Sequence, residues 1–250
     1  MAIKFFDPTS EFGAFADWEQ QTGSNPNTTE QRASMLGQHG DEIRWKGYGK
    51  QTALTATFGA IKKNGDLIVP NVGTVVGGVH IDSLSVAYTN TGFPVMTLNG
   101  HRHNAGNAHT ECRLYRAGVK LPSQFGCPRE ILEDVPSTKN VFALTTNAEV
   151  DVRSVTYTLT CNHVDEANKD GGHLAGDNYD GSETLAVELT GDADAGEYEF
   201  DGDNWQLTGD NRTNGNTVAT TSSITLTRHV AHDTSTTEET ETETETEPEP

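Results

Sequence analysis

The sequence predicts a mainly β protein, a barrel or sandwich with one or two short peripheral helices and long loops. Two observations carry that expectation. Val155, Tyr157, Leu159 and Cys161 alternate with Ser154, Thr156, Thr158 and Thr160, and Leu185, Val187 and Leu189 alternate with Thr184, Ala186, Glu188 and Thr190. Successive strand side chains point to opposite faces, so each run has one apolar and one polar face. Short runs of this kind recur between Gly- and Asn-rich turns, with no repeat at a solenoid period, which is the pattern of a barrel or sandwich.

In chain order, residues 1–50 form an N-terminal arm rich in aromatic residues: Phe5, Phe6, Phe12, Phe15, Trp18, Trp45 and Tyr48. Ser10 can cap a short helix holding Phe12, Phe15 and Trp18. Thr28 or Thr29 can cap another through Met35 and Leu36. Residues 51–232 form the β domain. Leu54, Ala56 and Phe58 alternate, and Asn64-Gly65 signals a hairpin between Ile61 and the run Leu67-Ile68-Val69. Val79–Tyr88 and Val95–Leu98 follow, joined at Asn90-Thr91-Gly92. Residues 101–139 lose the alternation, with a short helix expected at Pro128–Leu132. Strand signals return at Val141–Leu144, Val150–Cys161, Glu183–Leu189, Tyr198–Phe200 and Ser223–Val230. Residues 233–250 lack apolar side chains to offset the cost of ordering, so a disordered acidic tail is expected.

Composition narrows the function. The apolar fraction is 33%, below the usual range of about 45–50%. The core is therefore modest, with much of the chain in surface, loop or subunit interface. The formal charge is −20, from 37 acids and 17 bases. Wrapping nucleic acid needs clustered Lys and Arg, so that class is disfavoured. A channel through which nucleic acid slides without sticking is not. Seven glutamates lie between residues 238 and 249, and 14 acids face only Lys169 and Arg212 between Asp165 and Thr227. Cys112, Cys127 and Cys161 make an odd count without a CxxC, which implies no disulfide framework and fits an intracellular assembly site. No basic-then-apolar start and no apolar run near about 18 residues is present, so neither a signal peptide nor a membrane partner is expected.

The chemical candidates are weak. His101, His103, His109 and Cys112 form H-x-H-x5-H-x2-C. Imidazole and thiolate suit zinc, but the spacing matches no standard zinc module, and polar residues just past a strand commonly bond to backbone. No metal or other cofactor is therefore assigned, and these four stand as candidates only. Cys161 and His163 share a strand face roughly 7 Å apart, too far for a dyad without bending, so a buried thiol is expected. Asp192-x-Asp194 and Asp201-x-Asp203-Asn204 do not place oxygen ligands at the positions a calcium loop needs. With no Walker loop, GxSxG or HExxH, an enzyme has no constellation to stand on.

The stretch VTYTLTCNHVDEANKDGGHLAGDNYDGSETLAVELTG resembles the tail tube proteins of tailed bacteriophages, and the resemblance extends more weakly over VMTLNGHRHNAGNAH and SSITLTRHV. It covers about residues 50–232. It implies a β subunit that closes hexameric rings through strands shared with sister copies, the rings stacking into a tube through which duplex DNA passes unbound. It also implies assembly in the host cytoplasm, residence in the virion tail and contact with other tail proteins. Such folds carry a long loop reaching the adjoining ring. Asp165–Gly181 is one candidate, with Asp165, Asn168, Asp170, His173, Asp177, Tyr179 and Asp180 as contact residues; segment 101–139 is another. An acidic bore repels phosphate, and Glu183, Glu188, Asp192 and Asp194 are the acids expected to face it. Two other classes stay open: a capsid decoration or neck protein, and an acidic calcium-stabilised adhesive or carbohydrate-binding module.

Overall fold

A computed structural model describes residues 12–23, 25–62, 65–109, 119–122, 138–141, 144–147, 151–190, 199–200, 205–215 and 218–230. Among them the regular structure is entirely strand: β1 (Trp18–Gln20), β2 (Asn27–Leu36), β3 (Glu42–Ala60), β4 (Asp66–Val69), β5 (Val75–Val76), β6 (Val79–Thr89), β7 (Val95–His103), β8 (Val119–Pro122), β9 (Thr138–Val141), β10 (Leu144–Asn147), β11 (Asp151–Ala167), β12 (His173–Thr190), β13 (Glu199–Phe200), β14 (Gln206–Gly215) and β15 (Val218–His229). No helix among the described residues is long and apolar enough to cross a membrane.

Ten strands form one antiparallel sheet in the order β1-β3-β7-β6-β11-β12-β15-β14, with β2 on β3 and β5 on β6. Two small sheets accompany it, β13-β10-β9 and β4-β8. Alternation builds the core. Leu54, Ala56 and Phe58 of β3, Met96 and Leu98 of β7, and Leu84, Val86 and Tyr88 of β6 are buried. So are Val155, Tyr157 and Leu159 of β11, Leu185, Val187 and Leu189 of β12, and Ile224 and Leu226 of β15. All belong to a single cluster that also takes in Phe12, Trp18, Leu67, Val69 and Leu121. The large sheet is open, so the arrangement is that of a sandwich rather than a closed barrel.

The opposite face is built of small polar residues in register. Thr57 pairs with Thr97, Thr97 with Ser85, Ser85 with Thr158, Thr158 with Thr184, and Thr184 with Thr227. Thr55 Oγ1 donates to Asn99 Oδ1 at 2.8 Å, and Asn99 Nδ2 donates to Ser83 Oγ at 3.1 Å.

Several expectations are corrected. The segment through Met35 and Leu36 is strand β2, not a helix, because the exposed edge of β3 gives its backbone a partner from Asn27 to Leu36. No helix forms over Phe12–Trp18 either; Trp18 starts β1, which pairs with the end of β3. That pairing also removes the hairpin expected around Asn64-Gly65. Ile61 donates its N–H to Asp17 O, the Ile68 N–H goes to Asp17 Oδ2, and Trp18 Nε1 donates to Ile68 O at 2.9 Å. The β1 segment thus occupies the edge that β4 would need, and β4 pairs with β8 instead. β3 runs unbroken across the expected arm boundary at residue 50. The helix expected at Pro128–Leu132 and the acidic tail lie outside the described residues.

Candidate metal centre

The expected loop Asp165–Gly181 is mostly ladder. β11 continues to Ala167 and β12 begins at His173, with a turn at Asn168–Gly172. The period-two apolar signal vanishes there because this part of the hairpin has no core to cover, although the backbone pairing persists. Beyond Thr160, β11 stops pairing with β6, whose side is taken by β5 at Val75↔His80. The hairpin tip instead meets the loop after β7 and the middle of β3. His173 N–H donates to Ala105 O, Asn107 N–H donates to His173 O, and Gly49 N–H donates to Gly171 O. Gly106 makes this approach possible: its φ is +95°, and a Cβ there would collide with the His173 backbone.

The docking gathers six of the nine histidines. His80 and His101 face each other across β6 and β7, His103 ends β7, His109 follows in the next loop, and His163 and His173 come from the hairpin. Two bulges help aim the neighbouring side chains, one at Asp82 in β6 and one at Asp180–Gly181 in β12, where Asp180 takes φ 57°. Ring centroids lie 4.2 Å apart for His80–His163, 4.7 Å for His101–His109, 4.6 Å for His109–His173, and 4.1 Å for the stacked pair His103–His173.

Two carboxylates serve these rings. Asp82 Oδ1 lies 2.8 Å from both His80 Nδ1 and His101 Nδ1. Asp165 is surrounded by Nε2 atoms: His163 at 2.9 Å, His103 at 3.1 Å, His173 at 3.3 Å and His101 at 3.5 Å. The Nε2 atoms of His80, His101, His103 and His173, and both ring nitrogens of His109, are buried without a hydrogen-bond partner.

Such crowding perturbs His80, His101, His103, His109, His163, Asp82 and Asp165. Burial, then the neighbouring imidazoles, push His109 down to about 3. Burial also lowers His101, but Asp165 and Asp82 outweigh it and lift the ring to about 9. Burial outweighs the carboxylates at His80 and His103, which are lowered; at His163 the pull of Asp165 and Asn178 prevails over burial and the pKa rises. Burial works to raise both carboxyls, yet the imidazoles hold Asp82 at about 2 and Asp165 well below the carboxylate range. Imidazoles beside carboxylates are a donor set for a transition metal rather than for calcium or magnesium.

Of the four weak metal candidates, to which the sequence assigns no metal, His101, His103 and His109 come together here, and Cys112 lies outside the described residues. Sequence reasoning missed His80, Asp82 and His163, and assigned Asp165 and His173 to a contact loop. The remaining loop residues are spread along the hairpin. Asn168 Oδ1 accepts the N–H groups of Asp170 and Gly172 and shapes the turn, Asp170 pairs with Lys169, and Asp177 and Tyr179 are exposed. Cys161 is half-buried, its thiol donating to Asp82 O at 3.8 Å.

Glu183 is a correction. It is fully buried, accepts from Tyr157 Oη at 2.6 Å and pairs with Arg228, so it cannot face a bore. It shares the parity of Leu185 and Leu189, and the core side of β12 runs through it. Glu188 is exposed on the other face, where Ser154 Oγ donates to it at 2.9 Å. Asp192 and Asp194 lie outside the described residues.

Compared with known proteins, the chain matches no family model and no curated sequence.

Proposed function

We propose that this chain is a structural virion subunit of the phage tail tube kind, assembling as stacked hexameric rings around a DNA conduit. The observation that carries the reading is the β2–β3 hairpin. β3 extends nine residues past its pairing with β7, from Glu42 to Lys50, roughly 30 Å of strand. Every residue of β2 is exposed, and Met35, Leu36, Ile43, Trp45 and Tyr48 stand in solvent on this arm. An arm that exposes so many large apolar side chains is an interaction element, because scattered single residues, not clusters, are the rule on a monomer's surface. The outer edges of β2 and β14 are also without a strand neighbour among the described residues, and edges of that kind are completed by a further strand. A sister copy supplies both the apolar surface and the strand.

The Ser/Thr face suits the wall of a conduit. Its paired positions from Thr55 and Thr57 to Thr225 and Thr227 carry neither Lys nor Arg, and Glu188 adds negative charge. Duplex DNA passing such a wall finds no counter-charge for its phosphates. Assembly in the host cytoplasm, residence in the virion and contact with further tail proteins belong to the same reading.

Sedimentation velocity of the purified chain over a rising concentration series tests it. Wild-type protein is expected to form large assemblies. The double variant Ile43→Ser with Trp45→Ser is expected to stay monomeric with an unchanged thermal midpoint. Assembly that survives loss of both side chains would remove the arm from the account.

A further inference from the structure

We propose that the imidazole cluster at the docked tip of the β11–β12 hairpin binds a divalent transition-metal ion of the zinc class, with Asp165 as the carboxylate ligand. His101, His109 and His163 complete one ligand set with Asp165; His103, His109 and His173 complete another. The sets share His109 and Asp165 and form one centre. The inference goes beyond the assembly reading and does not depend on it.

Three independent features point to an ion. The first is ring orientation. The Nδ1 atoms of His80 and His101 meet Asp82, that of His163 meets Asn178 Oδ1 at 2.6 Å, and that of His173 meets Asn107 O at 3.0 Å. Each partner is an oxygen acceptor, so Nδ1 can keep its proton while Nε2, which faces Asp165 in His101 and His163, gives up its own and turns its lone pair to an ion. Histidines that ligate metal are held in this way, the far N–H donated to a carboxylate or carbonyl. The structure thus contains the outer layer of a metal site already built.

The second is distance. Four Nε2 atoms lie 2.9–3.5 Å from the oxygens of one carboxylate. Lone pairs aimed at an anionic oxygen repel, and four protonated rings would repel one another. Ligands each about 2.1 Å from a common ion stand roughly 3.0 Å apart at a right angle and roughly 3.4 Å apart in a tetrahedron. The observed separations are those of groups sharing an ion.

The third is the set of orphaned nitrogens. Buried polar atoms are nearly always paired, yet His109 has both ring nitrogens without a hydrogen-bond partner, and the Nε2 atoms of His101, His103 and His173 share the one Asp165 carboxylate without a well-directed hydrogen bond. One ion satisfies several of them at once. An entrance exists on the same side: a cleft of about 170 Å³ reaches His103, Asp165 and His173 between Tyr48 of β3 and the hairpin turn. All-nitrogen-and-carboxylate donors with this many imidazoles favour zinc, and at equal geometry copper or nickel, over magnesium and calcium.

The ion has a physical task. It ties β7, the loop to His109 and the hairpin tip together, segments far apart in sequence, beside the base of the exposed β2–β3 arm. Binding only the folded form raises stability with free ion concentration.

The test uses the full chain without an affinity tag, stripped with a chelator and dialysed. Zinc is titrated calorimetrically, Co²⁺ is added as a spectroscopic probe, and bound metal is counted by mass spectrometry. Expected are saturable zinc binding, a rise in thermal midpoint with zinc but not magnesium, and visible Co²⁺ bands of nitrogen and oxygen ligation. The double variant His101→Ala with His163→Ala loses binding. Asn178→Ala, which removes the oxygen that holds His163 Nδ1, weakens it about 10- to 100-fold. His39→Ala and His229→Ala, at exposed histidines, bind as wild type. Failure of the folded wild-type chain to retain zinc would overturn the proposal without any variant being made. So would zinc binding that survives in the His101/His163 variant or disappears in the His39/His229 variant.

Discussion

Glu183 shows how one residue decides between two accounts of a charge. It is buried at 0% exposure beneath the β12–β15 pairing, where Tyr157 Oη and Arg228 neutralise it. Breaking a buried ion pair by removing one partner costs about 3–5 kcal/mol, since the other charge stays desolvated. Arg228 keeps 17% of its side chain exposed and stacks on Trp205 at 4.4 Å, so the lower end of that range applies. Glu183→Ala is expected to lower the unfolding free energy, read from urea titration, by about 3 kcal/mol. Glu188→Ala, on the exposed face, is expected to stay within about 0.5 kcal/mol. Equal effects in the two would place Glu183 in solvent after all. The distinction was legible in the sequence: Glu183 has the parity of Leu185, Val187 and Leu189, while Glu188 does not.

At the scale of elements, strands with one buried face were readable because the core enforces their period. Val155, Tyr157 and Leu159 mark β11 as plainly as Leu84, Val86 and Tyr88 mark β6. β2 and β14 were not readable. The sequence NTTEQRASML has no apolar stripe, and its strand exists because β3 offers a ladder. The histidine cluster was half readable. Its histidines come from positions 80 to 173 and meet only through the docking of one hairpin. The signal was the repeated i, i+2 spacing at strand ends: His80-x-Asp82, His101-x-His103 and His163-x-Asp165. Gly106 is the test of that docking. Gly106→Ala is expected to speed amide exchange at His173 and Asn107 by about tenfold or more, while the amides of Leu159 and Leu185 keep their protection. That follows because local opening of a surface hairpin does not require opening the core. Uniform exchange across all four would contradict a separately docked tip.

For the whole molecule, the open sheet, the exposed arm and the lysine-free Ser/Thr face are the features on which the proposed assembly rests. Charge belongs to this scale. Reversing Glu188 to Lys on every copy puts cations on the proposed wall, each able to hold a phosphate. Tubes built from Glu188→Lys subunits are expected to assemble normally and to release DNA more slowly, with the delay shrinking as salt is raised. Release at the wild-type rate would turn that face away from the bore. Assembly itself is read most directly by negative-stain electron microscopy of the concentrated, purified chain. Hollow fibres of constant width, built from stacked rings, are the predicted result. Isolated particles of single-chain size at every concentration would contradict the account.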